Sequence, residues 1–74
     1  MDITIFSKLI GQKLSVATNR NKPDGTPESY IGYLDEVGVD YIVLDYAKAV
    51  PNAVHSISKV ILSNAVIIGV YVYM

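Results

Sequence analysis

Residues 60–74 form a run of fifteen without a single charge, and that run decides most of what this chain can fold into. A helix that crosses a bilayer needs about 20 apolar residues. This segment is shorter, is interrupted by Ser63-Asn64, and is built from Val, Ile and Tyr rather than Leu. β-Branched and aromatic side chains suit a pleated surface. The run therefore predicts two strands, 57–63 and 66–73, joined tightly through Asn64-Ala65. Both faces of the second strand are apolar: Val66, Ile68, Val70 and Val72 on one, Ile67, Tyr71 and Tyr73 on the other. One face can fill a core, and the other must meet a helix or a neighbouring subunit.

The rest of the chain supplies more strands. In residues 13–18, Leu14 and Val16 alternate with polar neighbours, a strand pattern. Residues 30–46 hold two β-rich runs around Asp35-Glu36-Val37-Gly38, read as a hairpin turn or sharp bend. Leu34, Ile42 and Leu44 share one face there, opposed by Ile31, Tyr33, Tyr41 and Val43. Gly32, inside the first run, predicts strong bending or a close backbone approach. Residues 2–10 predict an α-helix with Asp2 as N-cap and Gly11 as stop. Ile3, Phe6 and Ile10 would fall on one helical face, with Ile5 and Leu9 beside it. So short a helix must lie on something to be stable. Residues 19–29 are the long polar stretch, a surface loop turning at Pro23-Asp24-Gly25, and residues 47–56 are a second loop turning at Pro51-Asn52. The expected fold is mainly β: a single domain over 1–74, a small, strongly bent, five-stranded antiparallel barrel with an N-terminal α-helix. Closure would remove the exposed strand edges.

Composition then raises the question of stability. Half of the residues, 51%, are hydrophobic in a chain of 74. A domain of this size buries only about 60% of its surface on folding, and small domains often add disulfides, metals or oligomerisation. There is no Cys, and His55 is the single histidine, so neither a disulfide nor a clustered metal site is expected, nor any cofactor. Oligomerisation remains. Lys+Arg number 6 and Asp+Glu 7, a net charge of −1 that does not advertise nucleic acid or an anionic membrane. Asp2 stands where a signal peptide would carry basic residues, so with no Cys the cytoplasm is the expected compartment. Catalysis has little support. His55 beside Ser56 makes no triad, and Asp35, Glu36, Asp40 and Asp45 are spread along a hairpin. No Gly-rich phosphate loop or EF-hand spacing is present, so an enzyme with a small-molecule substrate is not expected.

A short N-terminal helix, five strands and a Gly within a long bent second strand together form a layout that resembles the Sm-like family, which includes Hfq-like RNA chaperones. Ile31-Gly32-Tyr33-Leu34, Val37 and Tyr41-Ile42-Val43-Leu44 resemble its first motif; residues 60–67, strand-turn-strand, have the shape of its second. The likeness covers nearly the whole chain. It implies an SH3-like barrel in which the last two strands of adjacent subunits pair edge to edge, closing a cyclic homo-oligomer of five to seven copies. It also implies single-stranded RNA as a partner. The pocket positions depart from the family. Its loop Asp falls at Gly38, its base-stacking aromatic at Asp40, and the Asn that reads a base at Ile42. Its Arg-Gly pair falls at Leu62 and Ser63, and the bacterial Lys-His pair at Ser63 and Asn64.

The remaining RNA-binding candidates are Tyr41, Ser63, Asn64, Lys8, Arg20 and Lys22. Tyr41, one position from the stacking site, offers a ring face for a base; as a strand Tyr it also simply packs on a neighbour. Ser63 and Asn64 can donate and accept hydrogen bonds, or serve as ordinary turn residues. Arg20 and Lys22, with Lys8 and Lys13, are the main basic concentration, which a ring would multiply around one face. Asp40 would put an acid beside any phosphate. Two functions stay open: a ring that binds single-stranded RNA with altered base recognition, and an assembly ring that keeps the scaffold and contacts only protein.

Overall fold

The computed structural model describes residues 3–49 and 58–73. Asp2, His55 and the Pro51-Asn52 turn lie outside them. A 3-10 helix, Ile3–Leu9, leads into β1 (Lys13–Asn21), β2 (Pro27–Val37) and β3 (Tyr41–Asp45). A single turn of α-helix, α1 (Tyr46–Ala49), follows, then β4 (Lys59–Ser63), a 3-10 turn (Asn64–Val66) and β5 (Ile67–Val72). All five strands lie in one antiparallel sheet of order β4-β3-β2-β1-β5. Among the described residues, no helix is long and apolar enough to cross a membrane.

Among the described residues the sheet is open: β4 and β5 are its two edges, and no ladder joins them. Yet only Asn64–Val66 connects them. Four strand spacings in a flat sheet separate its edges by about 19 Å, whereas the four chain steps from Ser63 to Ile67 reach at most about 14 Å. The sheet must curl. Gly32 is buried where that curl is tight; a Cβ there would stand 2.8 Å from Leu44 Cβ and 3.1 Å from the Asp45 carbonyl oxygen. The close approach expected of this glycine is present. Beyond it the β2–β3 register slips between Leu34 and Glu36, a bulge that increases local bend and twist.

The core fills the inside of the curl. Phe6, Leu14, Val16, Leu34, Ile42, Leu44, Leu62 and Ile67 form one buried cluster, so all five strands and the N-terminal helix contribute. Of the two apolar faces of β2 and β3, the one that carries Leu34, Ile42 and Leu44 turns inward; these three are at most 1% exposed.

Several boundaries and faces differ from expectation, each for a physical reason. The N-terminal helix is 3-10, not α. Three residues per turn stack positions 6 and 9, so Phe6 is buried and Leu9 packs on the core while Ile10 and Ile5 face outward. Gly11, at φ 88°, ends this segment, and its N–H donates to the Leu34 carbonyl at 2.8 Å. The polar stretch 19–29 is mostly strand: β1 runs on to Asn21 and β2 begins at Pro27, leaving a tight turn closed by Lys22 and Thr26. Backbone pairing across β1 and β2 thus carries polar side chains into the ladder. Tyr46, expected at the end of a strand, and residues 47–49, expected as loop, form α1, where the Asp45 carboxylate accepts from the Lys48 N–H at 2.9 Å. In β5 the register slips between Ala17 and Thr18, placing a bulge near Ile68. That extra residue shifts the alternation, so Ile67 turns to the core with Val70 and leaves the face assigned from strict alternation.

Candidate nucleic-acid interface

The chain folds so that the end of β1 meets the start of β3. Arg20 and Tyr30 sit where β1 pairs with the first part of β2, and Tyr41 sits beyond the last part of β2. Along a straight strand, Tyr30 and Val37 would be about 23 Å apart. The bend at Gly32 and the Leu34–Glu36 bulge instead face these segments across one hollow of about 350 Å³. Thr18, Arg20, Tyr30, Asp40, Tyr41 and Ser63 line it, with apolar flanks from β4 and Val66.

Each lining side chain is positioned by a local device. Tyr41 pairs with Ser63 across β3 and β4. Its ring lies over Gly38, where any Cβ would overlap it, and the Gly38 N–H donates to the Tyr41 carbonyl at 2.8 Å. The Asn64 N–H donates to the Asp40 carbonyl at 2.7 Å, tying the β2–β3 turn to the β4–β5 turn. Ser63 caps that second turn, its Oγ accepting from the Ala65 N–H at 3.3 Å. Thr18 is buried; its hydroxyl donates to the Glu28 carbonyl at 3.0 Å and accepts from the Arg20 N–H at 3.3 Å. The Tyr30 hydroxyl donates to Glu28 Oε2 at 3.1 Å. That bond, with burial and the Glu28 charge, holds the Tyr30 phenol above its ordinary pKa against a smaller opposing pull from Arg20.

Of the six sequence candidates, Arg20, Tyr41 and Ser63 meet at the hollow. Asn64 adjoins it through its backbone bond to Asp40. Lys22 lies in the neighbouring β1–β2 turn and Lys8 on the N-terminal helix; neither lines the hollow. Arg20 belongs to β1 rather than to a loop. Tyr30 and Thr18 were not among the candidates. The signal for Tyr30 was its phase: it lies two and four residues before Gly32 and Leu34, and pairs with buried Val16, so it takes the core-facing side where the strand opens.

The opposite ends of β1 and β3 hold the other lysines. Lys13 Nζ lies 5.1 Å from the Tyr73 ring centre, and Lys48 Nζ 5.1 Å from that of Tyr33. Lys59 Nζ pairs with Asp35 Oδ2 at 2.7 Å, the one ion pair among the described residues. That bond, reinforced by the Asp35 charge, raises the Lys59 pKa. No group of three or more potential metal ligands occurs among the described residues.

Comparison of the chain with protein-family models, with curated proteins and with solved structures found no match.

Proposed function

We propose that this chain is a non-enzymatic, Sm-like subunit of a cytoplasmic homo-oligomeric ring of five to seven copies, binding single-stranded RNA. The observation that carries this reading is the hollow: two tyrosine rings, a guanidinium and a hydroxyl converge on a space fit for an unstacked base. Stacking on aromatic faces with a cation nearby is the common chemistry of single-strand binding. The scaffold supports the reading as well. A curled five-stranded sheet whose ends are linked by one short turn suits a small SH3-like barrel. Its free edges, β4 and β5, are the strands that the family pairs between subunits. Those edges carry exposed apolar side chains: Ile61 is 70% exposed, Tyr71 67% and Ile68 58%. Stranded edges of this kind are stable when another chain covers them.

Fluorescence anisotropy with short U-rich and A-rich RNAs at low salt tests the binding. Saturable titration with either is expected, and none with both refutes it. Light scattering on the eluting protein tests the ring: a stable 8.1 kDa species would refute it.

A second reading, an assembly ring without RNA, is favoured by one observation: Asp40 brings a negative charge to the hollow. Purification from cells that yields a stoichiometric protein partner and no RNA would support it over the first.

A further inference from the structure

Asp40 is the residue that fits a general RNA site least, and its chemistry narrows the ligand. We propose that the hollow selects guanine, with the Asp40 carboxylate accepting from the N1–H and N2–H of the base; this rests on the RNA reading above. An ionised carboxylate only accepts hydrogen bonds and offers two parallel acceptor oxygens. Guanine presents two adjacent donors on one edge. Adenine and cytosine each present an amino donor beside a ring nitrogen whose lone pair would face the carboxylate, and uracil flanks its single N–H with two carbonyl oxygens. The neighbouring edge of guanine, O6 and N7, is acceptor-only and matches the donor fork of an arginine. Arg20 lines the same hollow.

Both charged groups are left for a ligand. Among the described residues the only ion pair is that of Lys59 and Asp35, so Arg20 and Asp40 do not neutralise each other. The Asp40 backbone is clamped by its carbonyl bond to the Asn64 N–H at 2.7 Å, which fixes the turn without using the carboxylate. Tyr30 and Tyr41 supply ring faces, and a hollow of about 350 Å³ falls at the small end of ligand sites, the size for one base.

The test uses the full chain and uridine hexanucleotides that carry one central guanine, inosine, adenine or uracil, titrated by anisotropy at low salt. The guanine hexamer is expected to bind about tenfold tighter than the all-uridine one, the scale of one bidentate base contact. Inosine, which lacks the N2 amine, should fall between. Asp40→Asn should erase the guanine preference while raising affinity for the uridine hexamer, because a charge that repels phosphate is gone. A merely structural Asp40 would weaken every hexamer alike, and that result overturns the proposal. Equal binding of guanine and uridine hexamers also overturns it while leaving the RNA reading in place. Failure of all hexamers to bind overturns both. Free guanosine monophosphate is expected to bind more weakly than the guanine hexamer; equal affinity would overturn RNA as the source of the base.

Discussion

The two ends of β1 hold similar residue types in opposite roles. At the Lys13 end, tyrosines and lysines satisfy one another: Lys13 covers the Tyr73 ring, Lys48 covers Tyr33, and Lys59 is bound to Asp35. At the Arg20 end, tyrosine and arginine line a hollow without a cation set over a ring; the Tyr30 hydroxyl is bound to Glu28, and backbone bonds hold the turns. Cation and ring that meet face to face contribute modestly to cohesion. Cation and ring held apart around a space offer the same contacts to a guest. The chemistry of a residue type therefore does not assign it to a site; what surrounds it does.

The bend in β2 serves both ends, and disrupting it should have the largest effect. Gly32→Ala places a Cβ against Leu44 and the Asp45 backbone, an overpacking that costs about 2 kcal/mol. The midpoint of urea unfolding is expected to drop accordingly, and RNA binding to fall with it. A substitution without effect on either would remove Gly32 from its role.

The next test separates the ends. Tyr41→Ala is expected to lower RNA affinity about tenfold, as loss of one stacked base does, with little change in unfolding. Gly38→Ala should reproduce much of that loss, because a Cβ there displaces the Tyr41 ring while every side chain that lines the hollow keeps its identity. Tyr73→Ala, at the other end, should leave RNA affinity unchanged. If Tyr73→Ala and Tyr41→Ala weakened binding equally, the contrast between the ends would fail.

Charge substitution gives a smaller effect of the same kind. Arg20→Ala should reduce affinity several-fold and make it less dependent on salt, because removing a positive charge beside the strand weakens its attraction for the phosphates whichever edge of the base the side chain faces. Lys13→Ala should change neither. Salt titrations of both variants decide it.

The smallest effect is in alkaline titration. The Tyr30 phenol and the Lys59 ammonium are both raised above their ordinary values of 10.0 and 10.5, by hydrogen bonds to Glu28 and Asp35 respectively. A raised folded-state pKa contributes stability that is complete below the ordinary value and is lost as pH climbs through the folded one. Stability should therefore fall from near pH 10.0 upward at the Tyr30 end and from near pH 10.5 upward at the Lys59 end. Glu28→Gln is expected to move the Tyr30 transition, followed by tyrosinate absorbance, to lower pH, whereas Asp35→Asn should leave it in place. Equal titration curves for the wild type and Glu28→Gln would dissolve the Tyr30–Glu28 link.

Much of this was legible in the residues. Alternation marked the face of Leu14 and Val16 and grouped Leu34, Ile42 and Leu44 on one face, because a strand's side chains change face at every step and that rule is local; the fold then turned both groups inward. Gly32 announced a close approach, since only a missing Cβ fits there. Gly11 announced the end of the first helix, and the apolar surplus announced side chains that one small core does not absorb, now found exposed on β4 and β5. Alternation failed at Ile67, where a bulge that no local pattern encodes inserts one residue and reverses the phase. Helical periodicity failed at Ile10, where a tighter 3-10 helix stacks Phe6 on Leu9 instead. The hollow was legible only in part. Arg20, Tyr41 and Ser63 could be nominated by type, but their meeting, and the entry of Tyr30 and Asp40 beside them, depends on how far β2 bends. By itself the sequence determined which residues of a strand share a face wherever no bulge intervenes, and where the backbone must pass closely, because those are properties of neighbouring residues. Only the tertiary structure decided which distant strand ends face each other, because curvature is the sum of a glycine, two register slips and a three-residue link acting on one sheet.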